Sequence, residues 1–287
     1  TFQLNGELYD LEKNGENYVD KWIEIRSYPD GKVCYLIDDK KIETAFSTLV
    51  VSNSFTRLEK IMILSISAAL KQNKAIDIQS KKTLLIISTT KGNIDLLDPT
   101  QTSTFDKKRV YLWETARVIQ EHFKSPNKPL IVSNACISGV LGIIMAKRLL
   151  ESGSYENIVV CGVDILTEFV VSGFQSFKAV SADIAKPYDE TRDGISLGEG
   201  CGTIILTNRK ERLAANGSPI LVKGGAISND ANHISGPSRT GDGLLLAIEK
   251  TLQESNVAAN DIDYISGHGT ATIFNDEMEA LAITDAK

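Results

Sequence analysis

Three short apolar runs constrain this chain more than anything else in it: Thr83–Ser88 (TLLIIS), Pro129–Ser133 (PLIVS) and Ile158–Gly162 (IVVCG). Each has the length of a strand and is apolar through its centre, not at every second position. Such a strand must be covered on both faces. Segments with helical spacing lie around these runs. Arg57–Gln72 places Leu58, Ile61, Met62, Ile66 and Ala69 on one stripe. Lys108–His122, Ile137–Glu151, Leu244–Gln253 and Asp276–Thr284 read the same way, and Gly153 stands just past the end of Ile137–Glu151 as a C-terminal cap. Further strands are expected at Lys32–Ile37, Ile204–Thr207, Leu221–Lys223 and Tyr264–Ser266. Strands alternating with helices, all apolar, predict an α/β fold with a sheet sandwiched between helical layers. Residues 1 to 56 are otherwise polar and mixed. No repeat or low-complexity tract interrupts the chain, and the softest boundary is the polar stretch Asn208–Pro219.

Composition narrows the function classes. The 287 residues carry a net charge of −6, which argues against a general nucleic-acid surface. No apolar run approaches the roughly 18 residues of a membrane span. Four cysteines, with no C-x-x-C pair, and three histidines give no metal-ligand spacing, so no metal site is expected. Scattered thiols in a chain of this size point to a reducing compartment, the cytoplasm. Thr1-Phe2-Gln3 has no charged-then-apolar signal and no initiator Met, which suggests a processed or trimmed chain.

Two segments carry possible chemistry. In Ser133–Gly139 (SNACISG) a buried strand ends, Cys136 follows, and a helix begins. The helix macrodipole and its unpaired N–H groups favour a thiolate there and can hold an oxyanion. Ser138 and Gly139 are small enough to admit a substrate. The alternative is that Cys136 is a small buried hydrophobe. In Gly267–Thr272 (GHGTAT) His268 follows a predicted strand in a loop of small residues, placed for acid–base work or for donating to developing charge; the alternative is a structural histidine. Gly194–Gly198 (GISLG) formally matches G-x-S-x-G. A charged loop precedes it and a turn into a strand follows, the wrong setting for a nucleophile elbow. Gly198, Gly200 and Gly202 do not form a dinucleotide fingerprint.

Taken together, these segments resemble the β-ketoacyl-acyl-carrier-protein synthases, condensing enzymes of the thiolase superfamily. Asn134-Ala135-Cys136-Ile137-Ser138-Gly139 is similar to the family's A-C-[AS]-[ST]-G, and Cys161-Gly162-Val163-Asp164 to its G-G-[AS]-[DE]. Ser172-Gly173-Phe174, Ala179-Val180-Ser181, Pro187-Tyr188-Asp189 and Arg192-Asp193-Gly194 resemble A-G-F, A-L-S, P-F-D and R-D-G in that order. Gly198–Gly202 resembles G-E-G-A-G. His268–Ala280 resembles H-G-T-G-T-x-x-x-D-x-x-E-A, with Ala271 in place of a glycine. These motifs, taken in order, carry the resemblance.

The resemblance implies a thiolase-like layered α/β/α/β/α fold, with residues 1–212 as the N-terminal ketosynthase half and 218–287 as the beginning of the C-terminal half. It implies decarboxylative Claisen condensation of an acyl thioester with malonyl carrier protein in fatty acid or polyketide-type biosynthesis. Cys136 would carry the acyl group and His268 would assist malonyl decarboxylation. Thr270 and Thr272 would contact phosphopantetheine, with Glu279 and Asp276 in support. The enzyme itself would bind no cofactor, because substrates arrive on the phosphopantetheine of an acyl carrier protein. The expected assembly is a homodimer, or a heterodimer with another ketosynthase-like chain. The family's opening V-T-G-x-G-like strand is not recognisable in residues 1–30. Its later lysine and second-histidine motif do not occur before Lys287. A fragment, a chain completed by a partner, or an inactive relative would each account for that. A non-catalytic partner subunit and a thiolase-type acyltransferase are the competing functions.

Overall fold

The computed structural model describes residues 33–49, 54–100, 103–212, 220–230 and 236–286, and the backbone of five strands between residues 2 and 27. In chain order, β1 (Phe2–Leu4) pairs antiparallel with β2 (Glu7–Tyr9), and β3 (Leu11–Asn14) with β4 (Asn17–Asp20). There follow β5 (Ile23–Ser27), β6 (Val33–Ile37), α1 (Asp39–Ser47), α2 (Arg57–Gln72), β7 (Thr83–Ser88) and α3 (Leu112–Phe123). Next come β8 (Leu130–Val132), α4 (Ser138–Glu151), β9 (Asn157–Asp164), α5 (Glu168–Ser176), β10 (Leu197–Gly198) and β11 (Gly200–Thr207). The last two helices are α6 (Asp242–Ser255) and α7 (Ile273–Asp285). The described residues group into two compact units, one around residues 35–170 and 198–212, the other around 171–197 and 220–286.

The first unit is a sheet in the order β11-β9-β7-β8, in which β7 runs parallel to β8 and β9 while β11 is antiparallel to β9. Strand geometry explains why these runs read as uniformly apolar. Successive side chains point to opposite faces, and both faces are covered. Leu85 and Ile87 of β7, with Val159, Cys161 and Val163 of β9, join Leu58, Ile61, Met62 and Ile66 of α2 and Ile119 of α3 in one core. Leu84, Ile86, Ile158 and Val160 join Ala146 and Leu150 of α4 in another. The expected layered α/β arrangement is therefore what the first unit builds.

Helix α4 comes close to the sheet because it carries Gly142. A Cβ there would stand 2.5 Å from Ser88 Oγ and 3.1 Å from Val160 Cγ1. Gly142→Val is expected to cost about 1–3 kcal/mol through overpacking, although valine is the better helix former. Chemical denaturation checks this, and a stability equal to or above wild type would contradict the packing account.

Buried polar networks tie the unit together over long sequence separations. Thr56 caps α2 in a capping box, its N–H donating to Glu59 Oε2 at 2.8 Å. The fully buried Glu59 also accepts from Arg109, whose Nε is 3.0 Å from Oε1 and whose Nη2 reaches Oε2. Glu199, of the Gly198–Gly202 segment, accepts from Arg57 Nη1 (2.7 Å), Ile37 N (2.9 Å) and Leu166 N (2.9 Å). A glutamate in that motif thus joins β6, α2 and the end of β9.

Several expectations need correction. Lys108–His122 is not one helix: Lys107–Val110 is a 3₁₀ turn, and α3 begins at Leu112. The Arg109 carbonyl accepts from Asn93 Nδ2 (3.1 Å) and Thr115 Oγ1 (3.3 Å), which takes it out of a helical ladder. Leu221–Lys223 and Tyr264–Ser266 are not strands in the described residues. Leu221 and Tyr264 are 72% and 82% exposed, and among the described residues no strand pairs with them to satisfy their backbone groups. Two helices, α1 and α5, were not expected at all. Among the described residues no helix is long and apolar enough to cross a membrane.

Candidate active site

Cys136 sits in the first unit, on the turn that links β8 to α4. Ala135 before it has φ 45°, a left-handed conformation that L-residues with a Cβ rarely adopt. The turn is held by Ser138, whose hydroxyl accepts from Asn134 N (2.8 Å) and donates to the Ala135 carbonyl (2.7 Å). The result is an exposed Cys136 immediately before the first turn of α4. The buried-hydrophobe alternative does not describe it. Ser138 is 4% exposed, so its part is to fasten the turn and not to admit a ligand. Gly139 is the open position, where a Cβ would meet nothing within 4 Å.

The other cysteines differ. Cys34 and Cys161 are buried. Cys201 lies 3.7 Å, sulfur to sulfur, from Cys161, and that neighbour together with burial pushes its thiol well above the usual range. Cys136 is therefore expected to alkylate first in the folded protein. Pulse alkylation with peptide mapping reads the order, and faster labelling of Cys34, Cys161 or Cys201 would remove the nucleophile assignment.

His268, Thr270, Thr272, Asp276 and Glu279 are brought together in the second unit. Residues 262–272 have no regular secondary structure, and α7 follows them. One turn of α7 supplies two buried carboxylates. Glu279 accepts the backbone N–H of His268 at Oε1 (2.5 Å), and those of Gly269 (2.9 Å) and the Tyr188 hydroxyl (2.7 Å) at Oε2. Burial raises the Glu279 carboxyl, but the two backbone donors and the tyrosine outweigh it and hold it below its ordinary value. Asp276 accepts from Tyr188 N at 2.8 Å, and Arg192 Nε stands 3.8 Å away. The Thr270 and Thr272 hydroxyls are hydrogen-bonded to each other at 2.9 Å. The His268 side chain is exposed. Ala271, where the family motif has glycine, takes φ 57°, so the loop keeps a glycine-like backbone at the cost of local strain.

Other motif residues close the loops of the second unit. Asp193 accepts from Ser181 Oγ (2.5 Å) and Ala182 N (3.1 Å). Gly194, at φ 147°, passes so near Ala179 that a Cβ would be 2.5 Å from its carbonyl oxygen. Ser196, the serine of the G-x-S-x-G match, accepts from Ala185 N at 2.8 Å and donates to the Asp183 carbonyl at 3.3 Å, a loop clasp and not a nucleophile elbow. Six non-glycine residues have positive φ among those described, and three of them (Ala135, Tyr188 and Ala271) lie at or against Cys136 and His268. Strain of this kind collects at functional sites. Sequence reading missed Tyr188 as a partner of Glu279, since nothing local joins positions 91 residues apart.

Residues 113–212 match the beta-ketoacyl synthase N-terminal domain, and residues 220–287 match the C-terminal domain of the same family. A mitochondrial 3-oxoacyl-[acyl-carrier-protein] synthase of Arabidopsis thaliana is 33% identical over 171 residues, covering 56% of this chain and 36% of that protein. The 3-oxoacyl-[acyl-carrier-protein] synthase 2 of Rhizobium meliloti is 33% identical over 165 residues, covering 54% of this chain and 38% of its own length. The matched stretches thus span well under half of these relatives. Among solved structures, a ketosynthase in complex with its chain length factor from Xenorhabdus doucetiae superposes with a TM-score of 0.76 at 24% identity, covering 93% of this chain and 69% of its own. That likeness shows the thiolase-like ketosynthase fold.

Proposed function

This chain belongs to the β-ketoacyl synthase family, and from that premise we propose that the protein carrying it catalyses decarboxylative condensation of an acyl thioester with malonyl-acyl carrier protein. The observation that carries the reading is the exposed Cys136 on a strained turn at the start of α4. In the first half-reaction the Cys136 thiolate attacks the acyl carbonyl. A new thioester forms, and the phosphopantetheine thiolate of the carrier leaves and takes up a proton. N–H groups at the start of α4 are available to the oxyanion of the tetrahedral intermediate. In the second, the malonyl group loses carbon dioxide. The enolate carbon attacks the Cys136 thioester, the Cys136 thiolate departs, and a 3-oxoacyl thioester remains on the carrier. Splitting one condensation into two steps is the chemical use of the thiol. His268 donates to the enolate oxygen as charge develops, and Glu279 fixes the backbone on which His268 stands.

The thiol and the imidazole supply this chemistry, so the proposal requires no resident cofactor. Thr270 and Thr272 are proposed contacts for the phosphopantetheine arm. The proposed partners are an acyl carrier protein and either a second copy of the chain or another ketosynthase-like chain. The proposed compartment is the cytoplasm, since four scattered cysteines with no C-x-x-C pair suit a reducing environment. A non-catalytic subunit would have no use for an exposed cysteine on a strained turn, which favours the enzyme. The test uses the full-length protein with acyl- and malonyl-carrier proteins. Release of a 3-oxoacyl product that is lost in Cys136→Ala is the expected result. Product formation that survives Cys136→Ala would overturn it.

A further inference from the structure

Where the family's P-F-D motif has phenylalanine, this chain has Tyr188, and the added hydroxyl has a specific target. It donates to Glu279 Oε2 at 2.7 Å. The same carboxylate holds the backbone N–H groups of His268 and Gly269. Three donors therefore meet on one carboxylate, and two of them belong to the His268 loop. Tyr188 is itself fixed, because its N–H donates to Asp276 Oδ2 at 2.8 Å, one turn of α7 before Glu279, and its φ is 63°. It also presses on the loop. A Cβ on Gly267 would lie 2.1 Å from the Tyr188 hydroxyl, and one on Gly269 would lie 3.3 Å from Tyr188 Cε2 and 3.0 Å from Pro187 Cβ.

We propose that Tyr188 is a positioning residue: through Glu279, its hydroxyl sets the backbone of His268 and hence the aim of the imidazole. This rests on the reading of His268 as the residue that assists decarboxylation. The physical reason lies in the last torsion of a glutamate, which is broad and weakly held by its own covalent geometry. The two loop N–H groups take one oxygen each, and the tyrosine adds a third, charge-assisted bond at Oε2 from outside the loop. The phenol remains a donor at neutral pH, since burial and the Glu279 carboxylate push it up to about 12. The charged and titratable groups facing Glu279 are Tyr188 and His268, with Asp276 and its partner Arg192 beside them.

Tyr188→Phe removes one oxygen and keeps the ring. Two measurements on the full-length protein test it. In the first, histidine-selective ¹⁵N labelling is followed through the acid range. The chain has three histidines, and the His268 amide reports protonation of Glu279 because it donates to that carboxylate. Loss of a donor to the charged form raises a carboxyl's pKa, so the midpoint should move to higher pH in Tyr188→Phe. The transition should vanish in Glu279→Gln. An unmoved midpoint, or a transition that persists in Glu279→Gln, overturns the link. In the second, kcat for malonyl decarboxylation should fall on the order of tenfold at unchanged KM, the weight of one charge-assisted hydrogen bond, while acylation of Cys136 keeps its rate. A shifted midpoint with unchanged kcat overturns the positioning role. The amide titration does not depend on catalysis, so it stands even if His268→Ala were to show that His268 has no part in decarboxylation.

Discussion

Replacing His268 with alanine is expected to slow malonyl decarboxylation on the order of 10²–10³-fold while leaving transfer of the acyl group onto Cys136 nearly intact. The asymmetry comes from where charge develops. As carbon dioxide leaves, negative charge grows on the thioester oxygen, and a hydrogen-bond donor aimed there stabilises the transition state more than the ground state. Removing one such donor has an effect of that size. Acylation of Cys136 produces no enolate and has no use for this donor. The loop backbone is anchored through Glu279, so the variant should fold. Two assays on the full-length variant decide the matter: acyl-enzyme formation, and carbon dioxide released from malonyl carrier protein. Equal loss in both, or none in the second, returns His268 to a structural part.

Arg109→Ala should lower stability by about 3–5 kcal/mol, the range found when one partner of a buried ion pair is removed. Glu59 is fully buried. Without the guanidinium it keeps only the Thr56 N–H and a 3.3 Å contact from Asn93 Nδ2. That cost is a large fraction of the roughly 5–15 kcal/mol that holds a typical domain folded. Glu121→Ala, which breaks the exposed pair with Arg117, should change stability by no more than about 1 kcal/mol. Denaturant midpoints of the two variants give the comparison. Similar losses in both would show that burial does not set the strength of these pairs.

Much of the first unit was legible because its signals are local. β7 and α2 begin and end where the sequence places them, Thr83–Ser88 and Arg57–Gln72. An apolar run of strand length and a 3.6-residue stripe each name their own element. Helix α1 was not legible: its buried residues are only Ile42 and Phe46, and it is started by an Asp38 cap within a polar stretch. The apolar segments at Leu221 and Tyr264 misled because a short apolar run makes a strand only where a neighbour pairs with it, and among the described residues none does. The site divided in the same way. Cys136 and His268 stood out by their immediate flanks. Arg109–Glu59, Arg57–Glu199 and Tyr188–Glu279 join positions 50, 142 and 91 residues apart, and no local pattern in a single sequence specifies such partners.

The central claim is that Cys136 is the residue that carries the acyl group, and intact-mass analysis tests it most directly. The full-length protein is incubated with acyl-carrier thioesters of graded chain length, without malonyl carrier protein, and then digested to locate the adduct. The account predicts one acyl group per chain, in thioester linkage on the peptide that contains Cys136, and none on the Cys136→Ala variant. An adduct on Cys34, Cys161 or Cys201, or no adduct from any thioester while the wild-type fold is intact, would contradict it.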